Sequence, residues 1–157
     1  MNSVFVRMAV IGAVMLVAAC SSGGGSDAAA EPKAADAPTT ADARAAFGTQ
    51  PWVLRELPSH AGPIPTGTRE PLTLQMIQGE AGSELRGQGG CNSFAMGVAV
   101  NGAALKSGPI RASKMACDHL AFESIYFGVL GKVDAVRLDG ESLQLLSAGA
   151  VVASYRR

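Results

Sequence analysis

Beyond its first twenty residues the chain offers four side chains with the chemistry for nucleophilic attack or metal ligation: Cys91, Cys117, His60 and His119. Cys91 sits in the stretch RGQGGCNSF (Arg86 to Phe94), where glycines surround a single thiol, and Cys117 lies two residues before His119. A thiol nucleophile needs a base within hydrogen-bond reach and a third group to orient that base. His119 stands at the start of a helical stretch, a common place for an ordinary exposed histidine, and His60 belongs to a Pro-rich loop. For a metal, no Cys-x-x-Cys or His-x₃-His spacing brings two of the four ligands together, so no metal site is expected. The glycines do not form a dinucleotide fingerprint either. Asn92 stands where the third glycine of G-x-G-x-x-G belongs, and no helix follows. They read instead as positive-φ positions or as close strand packing at a bulge, with Asn92 bonding locally at the same turn. No catalytic residue and no cofactor are expected.

The start of the chain bears on the thiols. MNSVFVRMAVIGAVMLVAAC carries Arg7, then an apolar run from Met8 to Ala18, then small residues before Cys20. That is the layout of a secretory signal peptide, and the run is too short to cross a bilayer core of about 30 Å. Val17-Ala18-Ala19-Cys20 resembles the bacterial lipobox, with Val in place of the usual Leu. The resemblance implies cleavage after residue 19 and lipid attachment at Cys20, an anchor worth about 0.8 kcal/mol per buried CH₂. Ser21, rather than Asp, points to the outer membrane by the enterobacterial sorting rule. The expected location is therefore the cell envelope, with the domain facing the periplasm. Setting Cys20 aside leaves Cys91 and Cys117, an even number in an oxidising compartment, where a pair reads first as a disulfide. Export thus argues against a thiol enzyme.

Residues 20–48 are Gly, Ser, Ala, Pro and scattered charge, and read as a disordered tether with too little to bury. Within it, ADARAAF (Ala41 to Phe47) has the makings of a transient helical turn. From Thr49 to the end, ten Lys and Arg oppose nine Asp and Glu, so there is no basic footprint for nucleic acid.

Residues 49–157 make one domain. Its pattern is mostly period two: PWVLREL, PLTLQMIQ, SFAMGVAV, AALKSGPI, AVRL, SLQLL and AVVASYR all read as strands. Asn101-Gly102 signals one tight hairpin, and Asp139-Gly140-Glu141 a second. One segment breaks the rhythm. DHLAFESIYFGVL (Asp118 to Leu130) spaces Phe122, Ile125, Tyr126 and Val129 as a helical core stripe, with Asp118 as N-cap and Gly131 as stop. Glu123 among them reads either as a solvated residue or as a buried partner of Lys114 or Arg111. Some five strands, a helix and three more strands predict a mainly β fold: a small antiparallel cracked barrel or curled sheet plugged by one α-helix.

Trp52-x-Leu54 in the first strand, GGCNSF (Gly89 to Phe94), SKMAC (Ser113 to Cys117), Glu123 and the closing hairpin together resemble the META domain, the family of the heat-shock protein HslJ. The resemblance covers residues 49–157 and marks Trp52, Gly90, Asn92, Phe94, Met115 and Glu123 as motif positions. The family usually continues Gly-Cys-Asn with Arg-Phe-Ser-Gly-x-Tyr and precedes Met-Ala-Cys with Thr-Arg. This chain has Ser93-Phe94-Ala95-Met96-Gly97-Val98 and Ser113-Lys114 there, so nothing those side chains do elsewhere carries over.

The resemblance implies an exported or lipid-anchored protein linked to heat and envelope stress or antibiotic tolerance, without an established catalytic activity. The expectation that follows is a non-catalytic, monomeric envelope protein that binds a protein or other envelope component. The alternative is a carrier of lipid or another small apolar ligand, like pilot lipoproteins of secretion systems; a thiol enzyme stands last.

Overall fold

The computed structural model describes residues 42–65 and 70–157. The leader, Cys20 and the tether up to residue 41 lie outside the described residues. From there the chain runs through α1 (Ala43–Phe47), β1 (Trp52–Glu56), β2 (Thr73–Gly79), β3 (Gly82–Gln88), β4 (Ser93–Asn101), β5 (Ala104–Ala112), α2 (Leu120–Leu130), β6 (Ala135–Asp139), β7 (Ser142–Ser147) and β8 (Ala150–Arg156).

The eight strands are antiparallel and pair in sequence order, and β1 also pairs with β8 to close a barrel. The closure is uneven. β4 and β5 pair along most of their length, whereas β5 meets β6 at the single pair Ala104–Ala135. This is the cracked barrel that the strand pattern predicts, and α2 lies in the chain between the two strands of the crack. Period-two burial sets the register: Leu74 and Met76 of β2, Leu85 of β3, and Phe94, Met96 and Val98 of β4 all point inward.

Glycines make the turns. The loop after β4 is Gly102-Ala103, since Asn101 still pairs with Ala104, so the hairpin turns one residue later than Asn101-Gly102 suggests. Gly102 takes φ +58° and Gly140 of the next hairpin φ +56°, conformations that cost an L side chain more than glycine.

Three expectations are corrected. The strand β3 has no counterpart in the segments listed above, because Leu85 is its lone large apolar residue and its alternation is otherwise Ser83 and Gly87 against Glu84, Arg86 and Gln88. The tether does not extend through residue 48: Ala43, Ala46 and Phe47 are buried in the core, and Trp52 Nε1 and Arg157 both donate to the Phe47 carbonyl at 2.9 Å. Apolar burial and two donors on one carbonyl fix a helix that composition alone would leave loose. The N-cap position of α2 falls on His119, whose side chain makes no capping bond, rather than on Asp118, and its buried stripe is Phe122, Glu123, Tyr126 and Leu130, with Ile125 turned outward. The physical reason is Glu123, whose partners lie inside.

Candidate functional site

The Gly-rich stretch that carries Cys91 leaves β3, turns and enters β4. Gly90 adopts φ +118°, and the Gly89 N–H donates to the Asn92 carbonyl at 2.8 Å, which closes the turn. The turn aims two backbone N–H groups and one side-chain amide at a single carboxyl group. Glu123 Oε2 accepts from Cys91 N at 3.0 Å and Asn92 N at 2.7 Å, while Oε1 accepts from Asn92 Nδ2 at 2.6 Å. Both residues are buried, at 4% and 2% exposure. A buried carboxyl is tolerated only with such saturation, because an unpaired one would cost several kcal/mol on the order expected for polar burial. The partners are thus N–H groups, and neither Lys114 nor Arg111 fills that role; Arg111 bonds Glu84 instead.

Asn92 faces a third segment with its remaining atoms. Its Oδ1 accepts from Ser113 Oγ at 2.9 Å and from Met115 N at 2.7 Å, and its Nδ2 also reaches the Met115 carbonyl at 3.3 Å. One side chain therefore ties the turn after β3, the strand leaving β5 and the helix α2. A disulfide between Cys91 and Cys117, with Cα atoms 6.0 Å apart, joins the same turn to the same segment covalently. Around this knot Phe94 packs edge-on to Tyr126 and Phe127 at centroid distances of 6.0 and 5.2 Å. Gly89 has no room for a Cβ, which would lie 2.6 Å from the Phe127 ring and 2.9 Å from Glu123 Oε2.

The structure thus gathers Gly90, Cys91, Asn92, Phe94, Met115, Cys117 and Glu123 into one place. Trp52 stands apart, buried under α1 with the Arg157 guanidinium 4.2 Å above its ring. Met115 belongs to the knot by its backbone alone, since its side chain is 57% exposed. The two histidines do not converge on the cysteines as a catalytic group. His60 packs edge-on to Phe122 at 4.9 Å, and the contact of His119 with Cys117 is from its backbone N–H to Sγ at 3.2 Å. Among the described residues no three His, Cys, Asp or Glu cluster to hold a metal.

Two further features escape a reading by motif. On the outer face of β2 to β5 an open groove of about 650 Å³ is lined by Thr73, Gln75, Arg86, Gln88, Arg111 and Ser113 among others. Beside it Glu84 bridges Arg86 and Arg111. The Arg86 hydrogen bond and the two guanidinium charges hold the Glu84 carboxyl below its ordinary range, against the opposing effect of partial desolvation. The period-two placement of Glu84, Arg86 and Gln88 is the signal for this face, and only after β3 is recognised as a strand. In the interior, the Tyr126 and Tyr155 hydroxyls bond each other at 3.1 Å, and burial raises both phenols well above their usual range.

Two solved structures share this fold. An NMR structure of a protein from Burkholderia xenovorans superposes with a TM-score of 0.55 at 22% identity, covering 71% of this chain and 83% of its own. A second NMR structure gives 0.50 at 18% identity, covering 68% and 86%. At those identities the likeness speaks for the fold alone. No curated protein matches the chain. The META domain family model matches residues 45–157, from inside α1 to the last residue, and the chain belongs to that family.

Proposed function

We propose that the chain is a lipid-anchored, non-catalytic envelope protein whose META domain supports envelope-stress or antibiotic tolerance by binding another envelope component. The observation that carries this reading is how the motif's chemistry is used. The two cysteines are bonded to each other, and the polar atoms of Asn92 and Glu123 are engaged by neighbouring segments. Groups employed in this way fix a shape; they do not present a nucleophile or a proton donor to a substrate. The disulfide accords with export, since such bonds persist in oxidising compartments, and Val17-Ala18-Ala19-Cys20 accords with an anchor. A partner is assigned to the polar groove beside Arg86 and Arg111, where two exposed guanidinium groups share one carboxylate.

The carrier alternative has less support. Tyr126, Tyr155, Leu74, Leu85, Met96 and Leu143 occupy the inside of the barrel, each below 2% exposure.

A photo-crosslinking residue at Gln88, used in intact cells, tests the reading. A defined envelope partner, lost when Arg111→Glu is added, is the expected result. Equal capture from Ala99 on the far part of β4 would overturn the assignment of the groove. Cys20→Ala should move the chain from the membrane to the soluble fraction, and undiminished membrane retention would overturn the anchor.

A further inference from the structure

α2 is built the wrong way round for a surface helix. Its eleven residues, LAFESIYFGVL, contain one charged side chain, Glu123, and that one is buried. Its outward face carries Leu120, Ala121, Ser124, Ile125 and Gly128, with no charge at all. A helix packed on a domain normally keeps its charges on the solvent side, and one that is apolar all round is normally covered. Leu120 and Ile125 are 40% and 39% exposed; with Met115, at 57%, they are the large exposed apolar residues found among the described part of the chain. Met115 lies in the segment that leads into α2, five residues before Leu120, and Asn92 holds its backbone at both N and O. The patch is therefore displayed on a fixed frame, not on a loose end.

We infer that this face, Met115 with Leu120 and Ile125 of α2, docks on the lipid bilayer that carries the Cys20 anchor. The inference rests on the anchor proposed above. Its second support is where the tether enters. Ala43 N donates to the Gly102 carbonyl at 2.8 Å, Val136 N donates to the Ala103 carbonyl at 2.9 Å, and Ala104 pairs with Ala135. The chain thus enters the domain beside the start of β6, a few residues after the C-terminal end of α2. Between Cys20 and Asp42 lie 21 residues, and a chain of that length can reach no further than about 75 Å. A tether of limited reach keeps the domain near the membrane at high effective concentration, so a small apolar face suffices to dock it. Lys114 and Lys132, both exposed, flank α2 in the sequence, with Asp118 and Asp134 of opposite sign near them, and interfacial helices carry basic residues beside their apolar side for anionic headgroups.

The test uses the full chain purified from membranes and reconstituted in phosphatidylethanolamine and phosphatidylglycerol vesicles, with Ile125→Trp as the reporter. Emission from the new tryptophan, after subtraction of the Trp52 signal of the parent chain, should be largely lost in vesicles made with brominated acyl chains. Adding Met115→Ser and Leu120→Gln should restore it. Flotation reports the anchor separately, and the quench is read whether or not the chain floats. A chain that floats unquenched keeps its anchor and overturns the docked face; one that neither floats nor quenches overturns both. Unquenched emission together with a concentration-dependent dimer that the double substitution abolishes would overturn the bilayer and assign the face to a second copy.

Discussion

Asn92 and Glu123 meet at two points, backbone N to Oε2 at 2.7 Å and side-chain Nδ2 to Oε1 at 2.6 Å, and both are buried. The amide cannot flip to suit a different partner, because its Oδ1 is already held by Ser113 Oγ and Met115 N. Glu123 is therefore required as an acceptor at both oxygens. Glu123→Gln must turn an NH₂ group towards at least one donor, which leaves buried donors facing each other. The expected cost is about 1–3 kcal/mol, read as a fall in Tm of roughly 5–15 °C. Glu123→Asp, too short to reach both donors' positions, should cost a similar amount. Thermal melts of the two variants against the parent check this, and an unchanged Tm for Glu123→Gln would mean that the knot contributes no net stability.

The disulfide closes a loop between residues 26 apart in sequence, which in the chain-entropy model contributes about 3–4 kcal/mol. Replacing Cys91 and Cys117 together by Ala should lower unfolding free energy in urea by about that amount, since the Asn92 and Glu123 bonds keep the native segments in place while the unfolded chain is freed. Combined with Glu123→Gln the losses should depart from additivity by roughly 0.5–3 kcal/mol, as expected of groups that share one closure. Unreduced protein should show neither of these two thiols to an alkylating reagent, and reduced, unfolded protein should show both.

Much of this architecture is legible in the sequence, because alternating apolar residues and Gly-centred turns act locally. The seven regularly alternating strands, the helix ahead of the last three of them and the two hairpins, the first to within one residue, follow from that alone; β3, with Leu85 as its lone large apolar residue, does not. What is hidden depends on partners distant in sequence. Glu123 has an ordinary helical surface spacing, and its burial follows from N–H groups some thirty residues earlier. Ile125, which fits the predicted stripe, is displaced outward for the same reason. α1 is short and weakly patterned, and its place in the core is set by Trp52 and Arg157, the second of which lies at the other end of the chain. The site is legible as a motif and not as a mechanism, since residue types show that Cys91, Asn92 and Glu123 belong together without showing that they bond to one another.

Glycine positions separate close packing from turn geometry. A Cβ on Gly87 would fall 1.8 Å from the Thr73 carbonyl oxygen, a backbone atom of the paired strand β2 that has nowhere to go. On Gly89 it would meet the Phe127 ring, a half-buried side chain able to shift, besides Glu123. On Gly97 it would meet nothing within 4 Å. Gly87→Ala should therefore cost the most, about 3 kcal/mol or more, Gly89→Ala about 1–3 kcal/mol, and Gly97→Ala next to nothing. Urea midpoints of the three variants should fall in that order, and a Gly97→Ala variant as unstable as Gly87→Ala would refute the packing argument.

The tyrosine pair makes stability sensitive to alkali. In the unfolded chain each phenol ionises near pH 10; in the fold, burial raises Tyr126 and Tyr155 well above that. Above the unfolded value the native state keeps protons that the unfolded chain gives up. Their contribution is thus complete below about pH 10 and is lost as pH rises beyond it, by about 1.4 kcal/mol per pH unit for each tyrosine. Tyr155→Phe should halve that slope and also cost about 1–3 kcal/mol at neutral pH, because the Tyr126 hydroxyl is left buried without its partner. Tyr126→Phe combined with Tyr155→Phe should abolish the tyrosine share of the slope and cost less at neutral pH than the two single losses added together, since both hydroxyls leave at once. Urea unfolding of the four proteins between pH 8 and pH 11, extremes chosen to bracket the free phenol at about pH 10, measures both effects. A slope that Tyr155→Phe leaves unchanged would show that the buried pair is not what senses alkali.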